Sequence, residues 1–339
     1  KNVNCSIYNR FIKSSLYSLA KLQKLYQPKI NNKEIDSILD PVSTRILKFS
    51  GGKSSLGNFN FDNVVLSVSG GVDSMICSFI LKSKGIKFVG VMINYNNRCE
   101  CELEVEFVAR WFKLLDIPLY VLDIPVKRDE IDRNVYEKGT RKMRFEAYRY
   151  FGLPVVLGHN KDDAIENIIT NVKKCQMLDN LQGMTSESVI DGITILRPLL
   201  DISKKEIYEY AEMNGVPFLC NSTPSWSERG KMREILIPFM DKFDSRIVEG
   251  LYECSKKYSE MSRLIDIQVD SFLGGDLCFK VVKNNGSIFW TRVLNKKYNS
   301  VVSVKSVDNL VERLEKNQYG DIILSKSITI KFTKNGINL

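Results

Sequence analysis

The stretch Asn63-Val-Val-Leu-Ser-Val-Ser-Gly-Gly-Val-Asp-Ser74 constrains the fold more than any other part of the chain. Val64, Val65, Leu66 and Val68 form a short apolar, mostly β-branched run, which reads as a buried strand. Gly70 and Gly71 permit a tight turn with positive φ and let bare backbone approach a ligand. Asp73 and Ser74 then open a pattern in which Met75, Ile76, Phe79, Ile80 and Leu81 recur at helical spacing. A strand, a glycine turn, hydroxyls and a helix N-terminus together make an anion site, because free N–H groups and the helix dipole both favour phosphate.

Downstream the chain alternates. Phe88–Ile93, Leu119–Ile124 and Val155–Gly158 read as strands, and Leu103–Leu115, Tyr136–Tyr150 and Asp162–Val172 as helices. The alternation predicts an α/β fold: a Rossmann-like parallel sheet with helices on both faces and ligands at the carboxyl ends of its strands. Residues 174–200 read as an irregular connector ending in Leu196-Arg-Pro-Leu-Leu200. Ser203 and Glu206 form a capping box, 221–231 a polar loop, and Ile235–Met240 and 246–272 helices ending at Gly274-Gly275. The tail reads as strand Phe289–Val293, helix Val307–Leu314 and strands Ile322–Leu324 and Ile328–Phe332. Three parts are therefore expected: an N-terminal extension at 1–60, partly helical from Ile12 to Leu25; a main domain at 61–240; and a helical linker with a small α+β domain at 241–339.

With 339 residues, 44% of them hydrophobic and 26% charged, a sizeable core is available, and no apolar run approaches a membrane span. The net charge of +9 points to an acidic partner, nucleic acid first. Eight cysteines without a CxxC pair argue for free thiols in a reducing compartment and against a structural metal. The expected location is the cytoplasm, with an organelle left open because the first residue is Lys1. Gly51-Gly-Lys-Ser54 imitates a Walker A loop, but Leu47 stands where that motif needs glycine, so it reads as a turn.

The loop Ser69-Gly-Gly-Val-Asp-Ser74 has no lysine after its glycines, unlike Walker A, and is not G-x-G-x-x-G. Its spacing resembles the PP-loop of ATP pyrophosphatases, which split ATP into AMP and pyrophosphate. In that reading Ser69, Gly70, Gly71, Val72, Asp73 and Ser74 hold the ATP phosphates, and Asp73 helps to position Mg2+. The chain's only histidine, His159, follows a strand and precedes Asp162, Asp163 and Glu166 on the first turns of a helix. Asp163 and Glu166 are three apart and share a face, while Asp162 is the expected cap.

Taken together, these residues resemble the tRNA(Ile)-lysidine synthase family. The match runs through the loop, His159-x-x-Asp162-Asp163-x-x-Glu166, Arg141-Lys-Met-Arg144-Phe145, Gly183-Met184 and Arg197-Pro-Leu-Leu200. Arg229-Gly-Lys-Met-Arg233 ahead of Pro238 matches the family's basic loop more loosely. Departures are Asn160 for a second histidine, Ala164 for glutamine, Gly230 for asparagine, and Asn96-Asn-Arg98 for H-G-x-R. They leave the ATP-cleaving set intact and bear on the nucleobase and the amine.

The resemblance implies a tRNA-modifying ligase that adenylates C2 of a cytidine with ATP and joins free lysine to it. Asp73, His159, Asp163, Glu166, Arg141 and Arg144 would form its catalytic set, and Arg229, Lys231 and Arg233 would contact tRNA. A homodimer is an open option. The rivals are another PP-loop tRNA modification such as thiolation, and a non-catalytic RNA-binding relative.

Overall fold

The computed structural model describes residues 63–97, 100–126, 131–174, 181–219, 227–300, 302–325 and 328–339. The helical pattern from Ile12 to Leu25, the Gly51–Ser54 turn, Arg98 and the loop at 221–226 lie outside the described residues. The chain divides into two compact units, 1–166 with 184–244, and 167–183 with 245–339.

The first unit is built on a six-stranded sheet. Strands β1 (Asn63–Val68), β2 (Lys87–Asn94), β3 (Leu119–Asp123), β4 (Val155–Val156), β5 (Glu187–Ile190) and β6 (Ile193–Leu196) lie in the order β3-β2-β1-β4-β6-β5. All pairings are parallel except β5 with β6. The helices of this unit are α1 (Val72–Ser83), α2 (Cys101–Leu114), α3 (Arg133–Phe151), the first turns of α4 (Lys161–Lys173), α5 (Lys204–Asn214), α6 (Glu228–Lys231) and α7 (Ile237–Phe243). A π-helical turn, Met232–Leu236, joins α6 to α7.

Strand alternation explains the two-sided core. Val64, Leu66 and Val68 enter one cluster with Ile76, Phe79, Trp111, Phe112 and Ile207. Val65 faces the other way, among Val91, Met143, Tyr148, Val155 and Ile195. Each of these fully buried aliphatic side chains contributes roughly 1.5–3 kcal/mol. Buried polar tips are satisfied locally: Trp111 Nε1–H donates to Ser78 Oγ at 2.8 Å, and Tyr148 OH to Ser67 Oγ at 2.7 Å.

Two expectations fail here. The connector at 174–200 contains a hairpin, because Val189, Ile190, Ile193 and Ile195 are strand formers flanking Asp191-Gly192. Both turn residues have positive φ, 51° and 77°, the signature of a two-residue hairpin loop. The hairpin carries β6 into the sheet beside β4, with Val156 opposite Leu196. The polar stretch before Lys231 is also not all loop, since Ser227 Oγ accepts from Gly230 N–H and caps α6.

In the second unit α8 (Arg246–Gly274), α9 (Phe279–Val282), α10 (Ser287–Tyr298) and α11 (Val304–Glu315) accompany strands β7 (Gly320–Ile323), β8 (Thr329–Thr333) and β9 (Gly336–Asn338). Residues 289–293 were expected as a strand and are helical. Phe289, Trp290, Val293 and Leu294 are all buried, and their spacing puts them on one helix face, with Asn299 ending the helix in the left-handed region. Among the described residues no helix is long and apolar enough to cross a membrane.

Candidate active site

The strand order reverses direction at β1 and β4, and the crevice outside the carboxyl ends of such strands is where open α/β sheets bind ligands. Both sequence signals lie there. The loop Ser69–Ser74 leaves β1, and His159 follows β4.

The loop is closed by its own hydroxyls. Ser74 Oγ donates to the Gly71 carbonyl at 2.9 Å and accepts from Ser69 N–H at 3.2 Å. Gly70 has φ +82°, and a Cβ there would lie 2.8 Å from Leu219 Cδ1. The Gly70 carbonyl also accepts from Leu219 N–H at 2.9 Å, so this glycine serves a backbone conformation and a close contact together. Gly158, just past β4, serves a close contact alone. A Cβ on it would meet Asp73 Cβ at 3.0 Å and Ser74 N at 3.1 Å, so its bare backbone lets the His159 segment approach the loop.

Asp73 is the junction of the two. Its Oδ1 accepts from Asn160 Nδ2 at 2.9 Å and its Oδ2 from Lys204 Nζ at 2.6 Å. Asn160 is also the cap of α4: its Oδ1 accepts from Asp163 N–H at 3.0 Å, and its own N–H donates to Asp163 Oδ2 at 3.1 Å. Asp162, the expected cap of that helix, accepts instead from Lys204 N–H at 3.2 Å, on the first turn of α5. The reason is register, because the capping residue must precede the helix and Asp162 is already inside it. Burial raises the Asp162 carboxyl above its ordinary value.

Asp163 and Glu166 share a face, as their spacing requires, and both are buried, Glu166 to 1% exposure. They hold two arginines. Arg229 reaches Glu166 Oε2 at 2.6 Å and Asp163 Oδ1 at 2.9 Å, and Arg233 reaches Asp163 Oδ1 at 2.9 Å and also Glu166 Oε1. Two carboxylates against two guanidiniums leave the cluster neutral, which is what lets charges stay at this depth. The basic segment thus turns its two arginines onto the carboxylates, keeping them 49% and 37% exposed, while Lys231 between them is exposed.

His159 is mostly buried, and Arg197 Nε–H donates to its Nδ1 at 3.2 Å. Desolvation pushes the imidazole down to about 4, with the Arg197, Arg229 and Arg144 charges acting in the same direction against Asp163. Arg141 and Arg144 lie on α3, and Arg141 stacks over the Phe145 ring at 4.4 Å. With Tyr95, Tyr136, Thr140 and Ser227 they line a cavity of about 590 Å3. Among the described residues no cluster of three His, Cys, Asp or Glu side chains is arranged to hold a metal ion.

Three residues of this site carried no site role in the sequence: Asn160 and Arg197, which enter only through the family match, and Lys204. Asn160 carried a signal, an Asn ahead of a helix with an acid three residues on. Lys204 carried none, being 131 residues from Asp73.

Residues 32–240 match the family model described as a PP-loop domain. The tRNA(Ile)-lysidine synthase of Chlamydia trachomatis serovar L2 is 31% identical over 218 residues, 62% of this chain and 67% of that protein. The tRNA(Ile)-lysidine synthase of Chlamydia pneumoniae is 26% identical over 216 residues, 61% of this chain and 67% of its own. Among solved structures, the U34-tRNA thiolase NcsA from Methanococcus maripaludis with its [4Fe-4S] cluster aligns at 16% identity and a TM-score of 0.49, over 72% of this chain and 87% of that one.

Proposed function

The chain belongs to the tRNA(Ile)-lysidine synthase family of PP-loop proteins, and from that premise we propose that it joins free lysine to C2 of a cytidine in the anticodon of an isoleucine tRNA, consuming ATP. The observation that carries this reading is the Asp73–Asn160 contact. It ties the phosphate loop to the start of the carboxylate helix, so that ATP and amine chemistry share one crevice.

The loop fits a triphosphate: exposed Ser69, the first amides of α1 and the bare Gly70-Gly71 backbone all suit anionic oxygens. Asp73, a single carboxylate beside that cradle, suits Mg2+, which takes one or two protein carboxylates plus phosphate oxygens and supplies charge neutralisation there. Lys204 contributes a cation that the loop itself lacks, holding Asp73 and screening the phosphates from it.

Two steps balance the reaction. The cytidine O2 attacks the α-phosphate, and pyrophosphate leaves with the electrons of the broken P–O bond. The lysine ε-amine then forms a bond to C2, the C2–O bond breaks, AMP departs, and the amine's proton passes to a carboxylate. Asp163 and Glu166 suit an ammonium ion and then that proton when Arg229 and Arg233 swing from them to the tRNA. Arg141 and Arg144 offer phosphate contacts, and Tyr95, which lines the same cavity, offers a stacking face for an unpaired base. The exposed Lys231 and the freed Arg229 and Arg233 meet the tRNA backbone, so affinity should fall as salt rises. We place the reaction in the cytoplasm, where tRNA and free lysine meet.

The test is pyrophosphate release from ATP with an isoleucine-tRNA anticodon stem-loop and lysine, followed by mass spectrometry of the base. Tritiated lysine carried into the RNA is expected. A thiolated base would replace this reading with the thiolation rival, and no pyrophosphate would leave the non-catalytic one.

A further inference from the structure

Arg197 lies at the end of β6, brought beside β4 by the hairpin, and it is 5% exposed. A guanidinium buried to that degree needs partners, and it has three kinds: the Thr185 carbonyl at 2.7 Å, Ser188 Oγ at 2.9 Å and His159 Nδ1 at 3.2 Å. Arginine has donors and no acceptor and keeps its charge in proteins. A ring nitrogen facing its Nε–H must therefore offer a lone pair.

We propose that Arg197 is a positioning residue that fixes His159 as the tautomer protonated on Nε2, leaving Nε2–H as the ring's one polar edge for substrate. His159 is then a hydrogen-bond donor to the reacting phosphate and takes no proton during the cycle. That consequence rests on the function proposed above; the tautomer itself does not. The charged groups around the ring come from four segments: Asp163 on α4, Arg197 just past β6, Arg229 on α6 and Arg144 on α3. Burial disfavours the imidazolium most; Asp163 opposes it, and the charges of Arg197, Arg229 and Arg144 act with burial.

Because the chain has one histidine, its ring nitrogens give unique signals in a long-range 1H–15N correlation of the labelled full chain. The native protein is expected to show the Nε2–H pattern unchanged from pH 8 to about 5, well above the midpoint near 4. An Nδ1–H pattern, or a mixture of the two, would overturn the assignment. Arg197→Met should turn the pattern into a mixture and move the titration upward, and a pure Nε2–H ring in that variant would equally overturn it. Ser188→Ala removes a hairpin contact of the arginine but leaves the histidine contact. It should keep the native tautomer, and a mixture there would make Arg197 a purely structural anchor. The native spectrum needs no variant, so it tests the proposal even where Arg197→Met fails to fold. Neither tRNA nor ATP is present, so a chain that released no pyrophosphate would overturn the function and leave the tautomer standing.

Discussion

The phosphate loop and the carboxylate cluster sit in one crevice but are made in opposite ways. Ser69–Ser74 is a contiguous piece of chain, closed by hydrogen bonds among its own atoms over three to five residues. Asp163 and Glu166 depend on arginines 63 to 70 residues away. A locally closed element can lose a functional group without losing its shape. A cluster assembled from remote segments holds charge and structure together, so the same change there should register in both rate and stability.

The largest expected effect tests the first half of that contrast. Asp73→Ala should slow pyrophosphate release roughly a thousandfold, about 4 kcal/mol of barrier, while the loss of its Asn160 and Lys204 contacts costs only about 1–2 kcal/mol of stability. A loss of stability as large as the rise in barrier would erase the contrast. Next, replacing Arg229 and Arg233 together by alanine leaves two buried carboxylates without their cations and should cost about 3–4 kcal/mol in a denaturant titration. A loss under about 1 kcal/mol would show that the cluster is not held together by these pairs.

His159 gives a pH test. The unfolded ring takes up a proton below about 6.5, whereas the folded ring, pushed down by burial, does so only near 4. Its contribution to stability is therefore complete above pH 6.5 and is lost as pH falls toward 4, by up to about 3 kcal/mol. The native chain should lose that much more than His159→Asn across this window, and identical slopes would contradict it.

Glu166→Gln should leave pyrophosphate release near the native rate and reduce lysine incorporation about a hundredfold. Equal losses in both would place Glu166 in the first step. Smallest of all, Asn160→Ala should cost about 1 kcal/mol from the lost cap, read as a shift in denaturation midpoint.

The same division between local and remote governs what the sequence disclosed. The loop, its strand and helix, the Ser203–Glu206 capping box and the shared face of Asp163 and Glu166 rest on contacts a few residues apart, and each was legible. The hairpin was also local, and the Asp191-Gly192 turn announced it; the polar residues around Val189 hid the alternation. Residues 289–293 misled because five residues rich in aromatic and branched side chains suit a strand as well as a helix. Only the longer window to Leu294 resolves the period. Arg197 was visible as part of Arg197-Pro-Leu-Leu200, but its partner was not, and Lys204 was beyond reach, since a charged residue in an amphipathic helix looks solvated until the fold brings its partner near.

Asn160 ties two clocks together. Its amide starts helix α4 and, through the other end of the same group, fixes the direction of Asp73. The carboxylate of the loop thus cannot reach its native orientation in a chain whose α4 has not begun. During refolding, a probe on the loop and a probe on that helix should therefore report one common rate.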